Sequence, residues 1–358
     1  MLLHELVKTI EQAVPPEYAL PGDPIGLQIG NPEQQISRVL VGLEASTQFL
    51  RKAQEVQAQL LLVHHPLIYR PLKNILLHHP VQRMVYEIIR QDLALYAAHT
   101  NADLHPEGLA KVWATKLGLE KVHPFAPKPM ADALKLVTFV PEEHTDQVRD
   151  ALCAAGAGRI GEYEKCSFYA PGTGTFQGSE RTDPYIGKAE EMERVQENKL
   201  ELLVPLRRKF AVLQALYDSH PYEEPAYDLL VQEPVRGLEQ ALWIGNFERE
   251  LRWEEFLERV RSTLPEEAVL TGATPNPAKK VKKIAISTGS GNEFIPIVGN
   301  LPVDAYLTGE VKYHSLWEAE EMGLNVVTVG HNYSELFFSE MMITLLQDRV
   351  QGVEIIAQ

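Results

Sequence analysis

The sequence predicts an α/β protein: a discontinuous domain of α/β layers interrupted by a ferredoxin-like (α+β) insert domain. Three observations predict it. In both outer parts of the chain, short apolar runs alternate with helix-period segments, the pattern of strand, crossover helix and parallel strand. The texture changes at a linker marked by Pro124, Pro127 and Pro129, and the first texture returns after Val235. Three of the outer apolar runs end in polar clusters, the place where open α/β sheets gather ligands.

Taken in order, apolar residues at helical spacing from Leu2 to about Ala13 form a helix that Pro15-Pro16 closes. Gly22-Asp23-Pro24-Ile25-Gly26-Leu27-Gln28 reads as a loop, Ser37–Glu44 as a strand and Thr47–Ala58 as a helix. Leu60-Leu61-Leu62-Val63 then reads as a buried parallel strand ending at His64-His65-Pro66. Neighbouring strand side chains point to opposite faces, but Pro66 takes the chain out of the ladder there, so both rings can turn toward one crevice. A helix from about Val81 to Asp92 and a strand Leu93–Ala98 deliver the second cluster, His99-Thr100-Asn101-Ala102-Asp103, which is expected to share that crevice. Glu107–Gly118 is a further helix.

Beyond the linker come a strand Leu134–Pro141, a helix His144–Ala155 and strand material from Gly156-Ala157-Gly158-Arg159-Ile160-Gly161 to Phe168. Gly172-Thr173-Gly174-Thr175-Phe176, a variable polar stretch, a strand Lys199–Pro205 and a helix to Ser219 follow. The order β, α, β, β, α, β is ferredoxin-like. The expected boundaries are 1–125 and 236–358 for the two halves of the outer domain and 126–235 for the insert. In the last part, strand Lys283–Ser287 enters Thr288-Gly289-Ser290-Gly291, and Asp304–Glu310, helix Leu316–Met322 and strand Asn325–Val329 lead to Gly330-His331-Asn332-Tyr333-Ser334-Glu335. The chain then passes into a final apolar helix; His331 and Glu335 are four apart, so if that helix begins at or near His331 both side chains leave the same face.

A chain of 358 residues, 45% hydrophobic and 23% charged, suggests about two or three globular domains. Its balance, 34 − 49 = −15, argues against nucleic acid or an anionic membrane as partner. The segment Met1–Leu6 does not read as a signal peptide, and no apolar run approaches the roughly 20 residues that span a bilayer. Cys153 and Cys166 form no metal-type pair, and such sparse usage fits a reducing cytoplasm.

His64, His65, Asp103, His331 and Glu335 together offer three imidazoles and two carboxylates, enough for two metal ions if the carboxylates bridge or chelate. Imidazole suits zinc, iron, manganese, cobalt or nickel rather than calcium or magnesium. Each histidine alone reads better as a loop cap or a partner for a backbone carbonyl, but three strand-terminal clusters from distant segments point to a shared site. His99 is expected to orient the second cluster by a hydrogen bond, and Lys312 and His314 are candidates for proton transfer or simply solvated helix-start residues. His78-His79-Pro80 reads as structural, with Pro80 as a first helical residue. Thr288-Gly289-Ser290-Gly291 reads either as an anion cradle or as a tight turn, and Thr308-Gly309-Glu310 has the same ambiguity.

Gly26-Leu27-Gln28, His64-His65-Pro66-Leu67-Ile68, His99-Thr100-Asn101-Ala102-Asp103, Gly289-Ser290-Gly291, Thr308-Gly309-Glu310 and His331-Asn332-Tyr333-Ser334-Glu335 resemble the dinuclear-metal-centre family of type 2 GTP cyclohydrolase I homologues. Gly158-Arg159-Ile160-Gly161, Gly172–Phe176 and His220-Pro221-Tyr222-Glu223-Glu224-Pro225 resemble the PII/CutA-like insert of its longer members. The resemblance places His64, His65, Asp103, His331 and Glu335 on the family's metal ligands. It also implies a ring-shaped homohexamer with the metals facing an internal cavity and the insert capping the openings. The chain departs from the family at Gly22-Asp23-Pro24 (usually Trp-Asp-Asn), at Glu44 (usually Asp) and at Ala110-Lys111 (usually Asn-Asp).

The functional expectation is a metal-dependent hydrolase holding two divalent transition-metal ions per chain. Its substrate is a small molecule such as GTP, attacked by water at purine C8 with release of formate, and His99 or His314 moves protons. The competing readings are a metal-dependent phosphoesterase and a non-catalytic metal-handling or regulatory assembly, with Glu190-Glu191-Met192-Glu193 as an interaction surface or a solvated helix face. A ring threaded by DNA is disfavoured by the net charge.

Overall fold

The computed structural model describes residues 1–125, 133–160, 163–231 and 241–358. It divides into two compact units, Met1–Lys128 with Arg236–Gln358, and Pro129–Val235. Pro127, Pro129, Gly161 and Val235 lie outside the described residues.

The first unit is built on two sheets. One has five strands in the order Gly26–Ile29, Ala94–Ala97, Leu60–Val63, Arg38–Gly42 and Glu354–Ala357. All its neighbours run parallel except Gly26–Ile29, which is antiparallel to Ala94–Ala97. The other has six, in the order Thr271–Ala273, Val326–Thr328, Ala305–Thr308, Val281–Ile286, Trp243–Leu251 and Glu120–Pro124, with the Val281, Ala305 and Val326 strands parallel. Alternation along Leu60–Val63 shows how the layers form. Leu60 and Leu62 enter a core shared with Ile286, Leu307, Phe338 and Met342, whereas Leu61 and Val63 face Phe49 and Ile88 of the helices Thr47–Val56 and Pro80–Arg90. On the far side of the six-stranded sheet, Ala285, Tyr306 and Val326 pack with Ile295, Val298 and Ala319. The α/β class is therefore the one expected from the sequence.

Several local expectations give way. Gly26–Ile29 is an edge strand, not a loop, because it pairs with Ala94–Ala97, and four residues are too few to show alternation. Pro124 ends a strand paired with Trp243–Leu251 and is not part of a linker. The helix Trp253–Arg261, the interior strand Trp243–Leu251 and the edge strand Glu354–Ala357 are not foreseen by the sequence pattern; both strands mix charged residues into short apolar runs and take their order from pairing. The chain after Gly330 forms two helices, His331–Ser334 and Phe338–Leu346, in place of one.

In the second unit, Ser167–Gln177, Met192–Pro205, Ala133–Pro141 and Tyr227–Val231 make an antiparallel sheet in that order, with helices Thr145–Ala154 and Lys209–Ser219. Leu136, Val148, Leu152, Leu200, Leu202 and Leu216 form its own core. Strand pairing begins at Ser167, not near Gly156; the preceding segment carries only an isolated Ile160–Tyr163 bridge. Gly172–Phe176 lies inside that strand, and Met192-Glu193 opens the next, so the acidic run is a turn and strand start and not a helix face. Cys153 and Cys166 are both free thiols.

Among the described residues no helix is long and apolar enough to cross a membrane. One buried contact ties the helix Leu109–Lys116 to the last polar cluster: Trp113 Nε1 donates to the Ser334 carbonyl at 2.7 Å. Trp113→Phe leaves that buried carbonyl without its donor and is expected to cost about 1–3 kcal/mol, read as a lower denaturant midpoint at unchanged m-value. Unchanged stability would show that the Ser334 carbonyl does not depend on Trp113.

Candidate metal centre

The backbone amides of His64 and His65 donate to the carbonyls of Gly42 and Leu43, at 3.1 and 2.9 Å, which carries the parallel ladder past Val63 before Pro66 ends it. The loop that follows is clamped by Gln28, whose amide group donates to the Pro24 and Ile68 carbonyls and accepts the Ile68 amide, each at 3.0 Å. Both rings accordingly turn into one crevice, with centroids 4.9 Å apart.

His64 is fully buried. Its Nδ1 donates to the Ala98 carbonyl at 2.9 Å, which leaves Nε2 as the atom that carries the exchangeable proton or, once it is lost, a lone pair for a cation. That atom has no hydrogen-bond partner and lies 3.7 Å from both Asp103 Oδ1 and Glu335 Oε1. Glu335, 3% exposed, sits between the imidazoles: Oε1 is 3.1 Å from His331 Nε2, and Oε2 is 3.0 Å from His65 Nε2 without hydrogen-bond geometry. Candidate ligand atoms of His64, His65 and His99 lie within 4.8 Å of one another, as do those of His65, His331 and Glu335. His65 belongs to both groups.

An outer layer orients these side chains. Asp23 accepts His99 Nδ1 at 2.8 Å and the Thr100 amide at 3.0 Å. Glu310 holds His331 Nδ1 at 3.1 Å, Glu44 lies 3.5 Å from His65 Nδ1, and the Thr288 hydroxyl donates to Asp103 at 3.3 Å. The sequence had shown Asp23 and Glu44 only as departures from a family pattern and Glu310 only as part of an ambiguous motif. Glu44 and Glu310 stand just past the strands Arg38–Gly42 and Ala305–Thr308 and Asp23 follows the turn at Pro21-Gly22, but no local pattern pairs any of them with an imidazole.

The glycine motifs resolve as close packing. Gly289 has φ +61°, and a Cβ there would stand 2.8 Å from Glu335 Oε1 and 3.5 Å from His331 Nε2. Its amide donates to Ser334 Oγ at 2.8 Å, its carbonyl accepts the Glu310 amide at 3.0 Å, and Gly330 donates to the Gly309 carbonyl at 2.8 Å. Thr288–Gly291 and Thr308–Glu310 are therefore tight turns that make room for the carboxylate. His314 is exposed in the helix Tyr313–Glu321, with Tyr313 as its ring neighbour, and the structure does not bring it to the cluster. The His78–His79 pair stacks at 4.2 Å ahead of Pro80, the first helical residue.

The residues fit a divalent metal: mixed nitrogen and oxygen donors converge, and the orphaned atoms, His64 Nε2 and Glu335 Oε2, are those free to bind a cation. Burial pushes the His64 imidazolium down, but Asp103 and Glu335 outweigh it and lift the group up to about 9. The hydrogen bond to Glu335 lifts His331 to about 9 against its burial. Burial pushes the Glu335 carboxyl up, and the three imidazoles hold it far below the usual carboxylate range. Burial also pushes Asp103 up; His64 opposes that and Glu335 adds to it.

The fold and the site define a class: an α/β protein with converging His and Glu side chains that could hold a metal ion. The chain belongs to the Duf34/NIF3 (NGG1p interacting factor 3) family, whose profile matches residues 1–358. It is 37% identical over 359 residues to a GTP cyclohydrolase 1 type 2 homolog of Halalkalibacterium halodurans, covering 98% of this chain and 95% of the relative. Its identity to the Bacillus subtilis homolog of the same name is 36%, covering 98% and 94%. Among solved structures, a Bacillus cereus protein related to NIF3 superimposes with a TM-score of 0.75 at 34% identity, covering 100% of this chain and 96% of that one.

A cation must displace the protons on His64 and His331, which these carboxylates retain up to about pH 9. Affinity for zinc or manganese is therefore expected to rise from pH 6 toward pH 9, by up to about tenfold per unit for each proton released. Chelator competition at fixed ionic strength reads it. A flat profile would show that these imidazoles are not ligands.

Proposed function

We propose that the protein is a metal-dependent hydrolase of the type 2 GTP cyclohydrolase I homologue group. In this reading it holds two divalent transition ions per chain on His64, His65, Asp103, His331 and Glu335, drawn from zinc, iron, manganese, cobalt or nickel. Its substrate is GTP or a related nucleotide: a first water adds at C8 of the purine and opens the imidazole ring to a formamide, and a second water hydrolyses that amide, so that C8 leaves as formate and both ring nitrogens remain as amines. The observation that carries this reading is the convergence of these five side chains: Glu335 lies 3.0 Å from His65 Nε2 and 3.1 Å from His331 Nε2, and His64 Nε2 is 3.7 Å from both Asp103 Oδ1 and Glu335 Oε1. The substrate class is supported by the relatives from Halalkalibacterium halodurans and Bacillus subtilis, both called GTP cyclohydrolase 1 type 2 homolog.

Bound divalent ions supply Lewis-acid activation of water and of the attacked group near neutral pH. The chain's own residues do the rest. Glu310, Glu44 and Thr288 fix the orientation of His331, His65 and Asp103. Asp23 holds the proton on His99 Nδ1, so Nε2 is the atom available to take or give a proton beside His64 and His65, whose ring centroids lie 5.3 and 5.8 Å away. Exposed and without a contact to the cluster, His314 has no role in this reading.

The test is anaerobic loading with each of the five metals, incubation with GTP and detection of formate by mass spectrometry, with Asp103→Ala as control. Formate from the wild type and none from the variant is the expected result. Two ions bound per chain with no turnover of GTP or related nucleotides would discard the cyclohydrolase reading and leave phosphoesters or a non-catalytic role.

Self-association into a homohexamer belongs to the same proposal. It is supported by the exposed apolar residues Ile75, Leu76, Leu77, Val81 and Ile89, which are 43–54% accessible on the first unit. Light scattering after size exclusion should return six times the 40.3 kDa chain mass. A monomer at micromolar concentration would reject the ring.

A further inference from the structure

The second unit holds a cavity of about 680 Å³ at its hairpin, lined by Phe139, Phe176, Tyr185, Tyr222 and the buried carboxylate of Glu197. That volume falls in the range of small-molecule pockets. Two of these residues, Phe176 and Tyr222, belong to motifs to which the proposed hydrolase assigns no role, Gly172–Phe176 and His220–Pro225.

Glu197 is the anomaly. It is 8% exposed, and among the described residues it enters no ion pair. Its Oε1 accepts the Tyr222 hydroxyl at 2.7 Å, a neutral donor whose proton is held more firmly because burial, and then the Glu197 charge, push the phenol up. His220, beside Tyr222 at a centroid distance of 5.0 Å, supplies no positive charge. Its Nδ1 accepts the Tyr222 amide and its Nε2 donates to the Phe139 carbonyl, each at 3.0 Å, and burial lowers its affinity for a second proton. Lys199, the one cation lining the cavity among the described residues, pairs its ammonium with Glu201 Oε1 at 2.7 Å. Two further carboxylates, Glu223 and Glu224, stand at the rim.

The backbone is cut to admit this charge. A Cβ on Gly174 would stand 2.6 Å from the Glu197 carboxyl carbon, so a glycine is needed for the carboxylate to lie against the hairpin. An ionised carboxylate withdrawn from water costs several kcal/mol unless a positive group offsets it. Aromatic rings line the same cavity: Phe176 and Tyr222 meet edge to face at 5.9 Å, and Tyr185 and Tyr222 are tilted against each other at 6.4 Å. Aromatic faces and a carboxylate together attract a diffuse, weakly hydrated cation; a metal ion would instead need nitrogen or further oxygen ligands pointing inward.

We propose that this hairpin pocket binds an organic ammonium cation, its charge on Glu197 and its alkyl groups against Phe176, Tyr185 and Tyr222. The site lies within the second unit and is independent of the metal centre.

The test uses the full chain, with choline as probe and its uncharged carbon isostere, 3,3-dimethylbutan-1-ol, as control, followed by calorimetry and ligand-observed NMR. Choline is expected to bind saturably and the isostere not to bind at the same concentration. Glu197→Gln is expected to weaken choline by about tenfold or more. Phe176→Leu, which keeps the carboxylate and the apolar volume, is expected to weaken it severalfold and stands as the deciding variant should Glu197→Gln fail to fold. Equal binding of choline and the isostere, no choline binding at tens of millimolar, or wild-type affinity in a folded Glu197→Gln or Phe176→Leu protein would each overturn the proposal.

Discussion

The structure of the first unit depends on a carboxylate buried where a carboxylate is expensive. Glu335 lies within 3.1 Å of His331 Nε2, 3.0 Å of His65 Nε2 and 3.7 Å of His64 Nε2. The electrostatics are self-consistent only if positive charge surrounds it, carried either by protons on the imidazoles or by cations in their place. Everything that holds residue 335 in position therefore bears on the site. Ser334, next to it in sequence, donates its hydroxyl to the His331 carbonyl at 2.6 Å, accepts the Gly289 amide and gives its own carbonyl to Trp113.

That arrangement needs two sheets. His64, His65 and His99 follow parallel strands of the five-stranded sheet; Thr288, Glu310 and His331 follow parallel strands of the six-stranded one. Parallel strands put their carboxyl ends on one side, and a shared core holds those ends together, so residues almost the whole chain apart in sequence meet at one point. The turns of the second sheet approach too closely for side chains, because a Cβ at Gly309 would overlap the Gly289 carbonyl and Ser334 Oγ. Glycine there follows from backbone packing, not from anion binding.

The α/β class was legible in the sequence because strands such as Leu60–Val63 and Ala94–Ala97 are fully buried apolar runs and the helices between them carry their own period. The convergence of His64, His65, Asp103, His331 and Glu335 was legible for a related reason: each cluster sits where a readable strand stops. Asp23, Glu44 and Glu310 were not legible as orienting groups. Their partners lie 76, 21 and 21 residues away, and nothing local to an exposed-looking acidic residue announces which imidazole nitrogen it will meet. Edge strands such as Gly26–Ile29 and Glu354–Ala357 failed in the same way, since their existence is a fact of pairing and not of pattern.

The two units set a buried carboxylate in different company, and the company decides the chemistry. Around Glu335 the neighbours are imidazoles, which offer directional nitrogen lone pairs and exchange protons for metal ions. Around Glu197 they are a tyrosine hydroxyl and aromatic faces, which offer a quadrupole and apolar area but no lone pair suited to a transition metal. In each unit a glycine stands where a side chain would strike the carboxylate, Gly289 in one and Gly174 in the other. A carboxylate that only closed a surface ion pair would need no such clearance, since water and side-chain mobility would accommodate it. Clearance built into the backbone on both carboxylates is what a bound cation would require: a charge held at a fixed position, with one side of the carboxylate kept open to receive it.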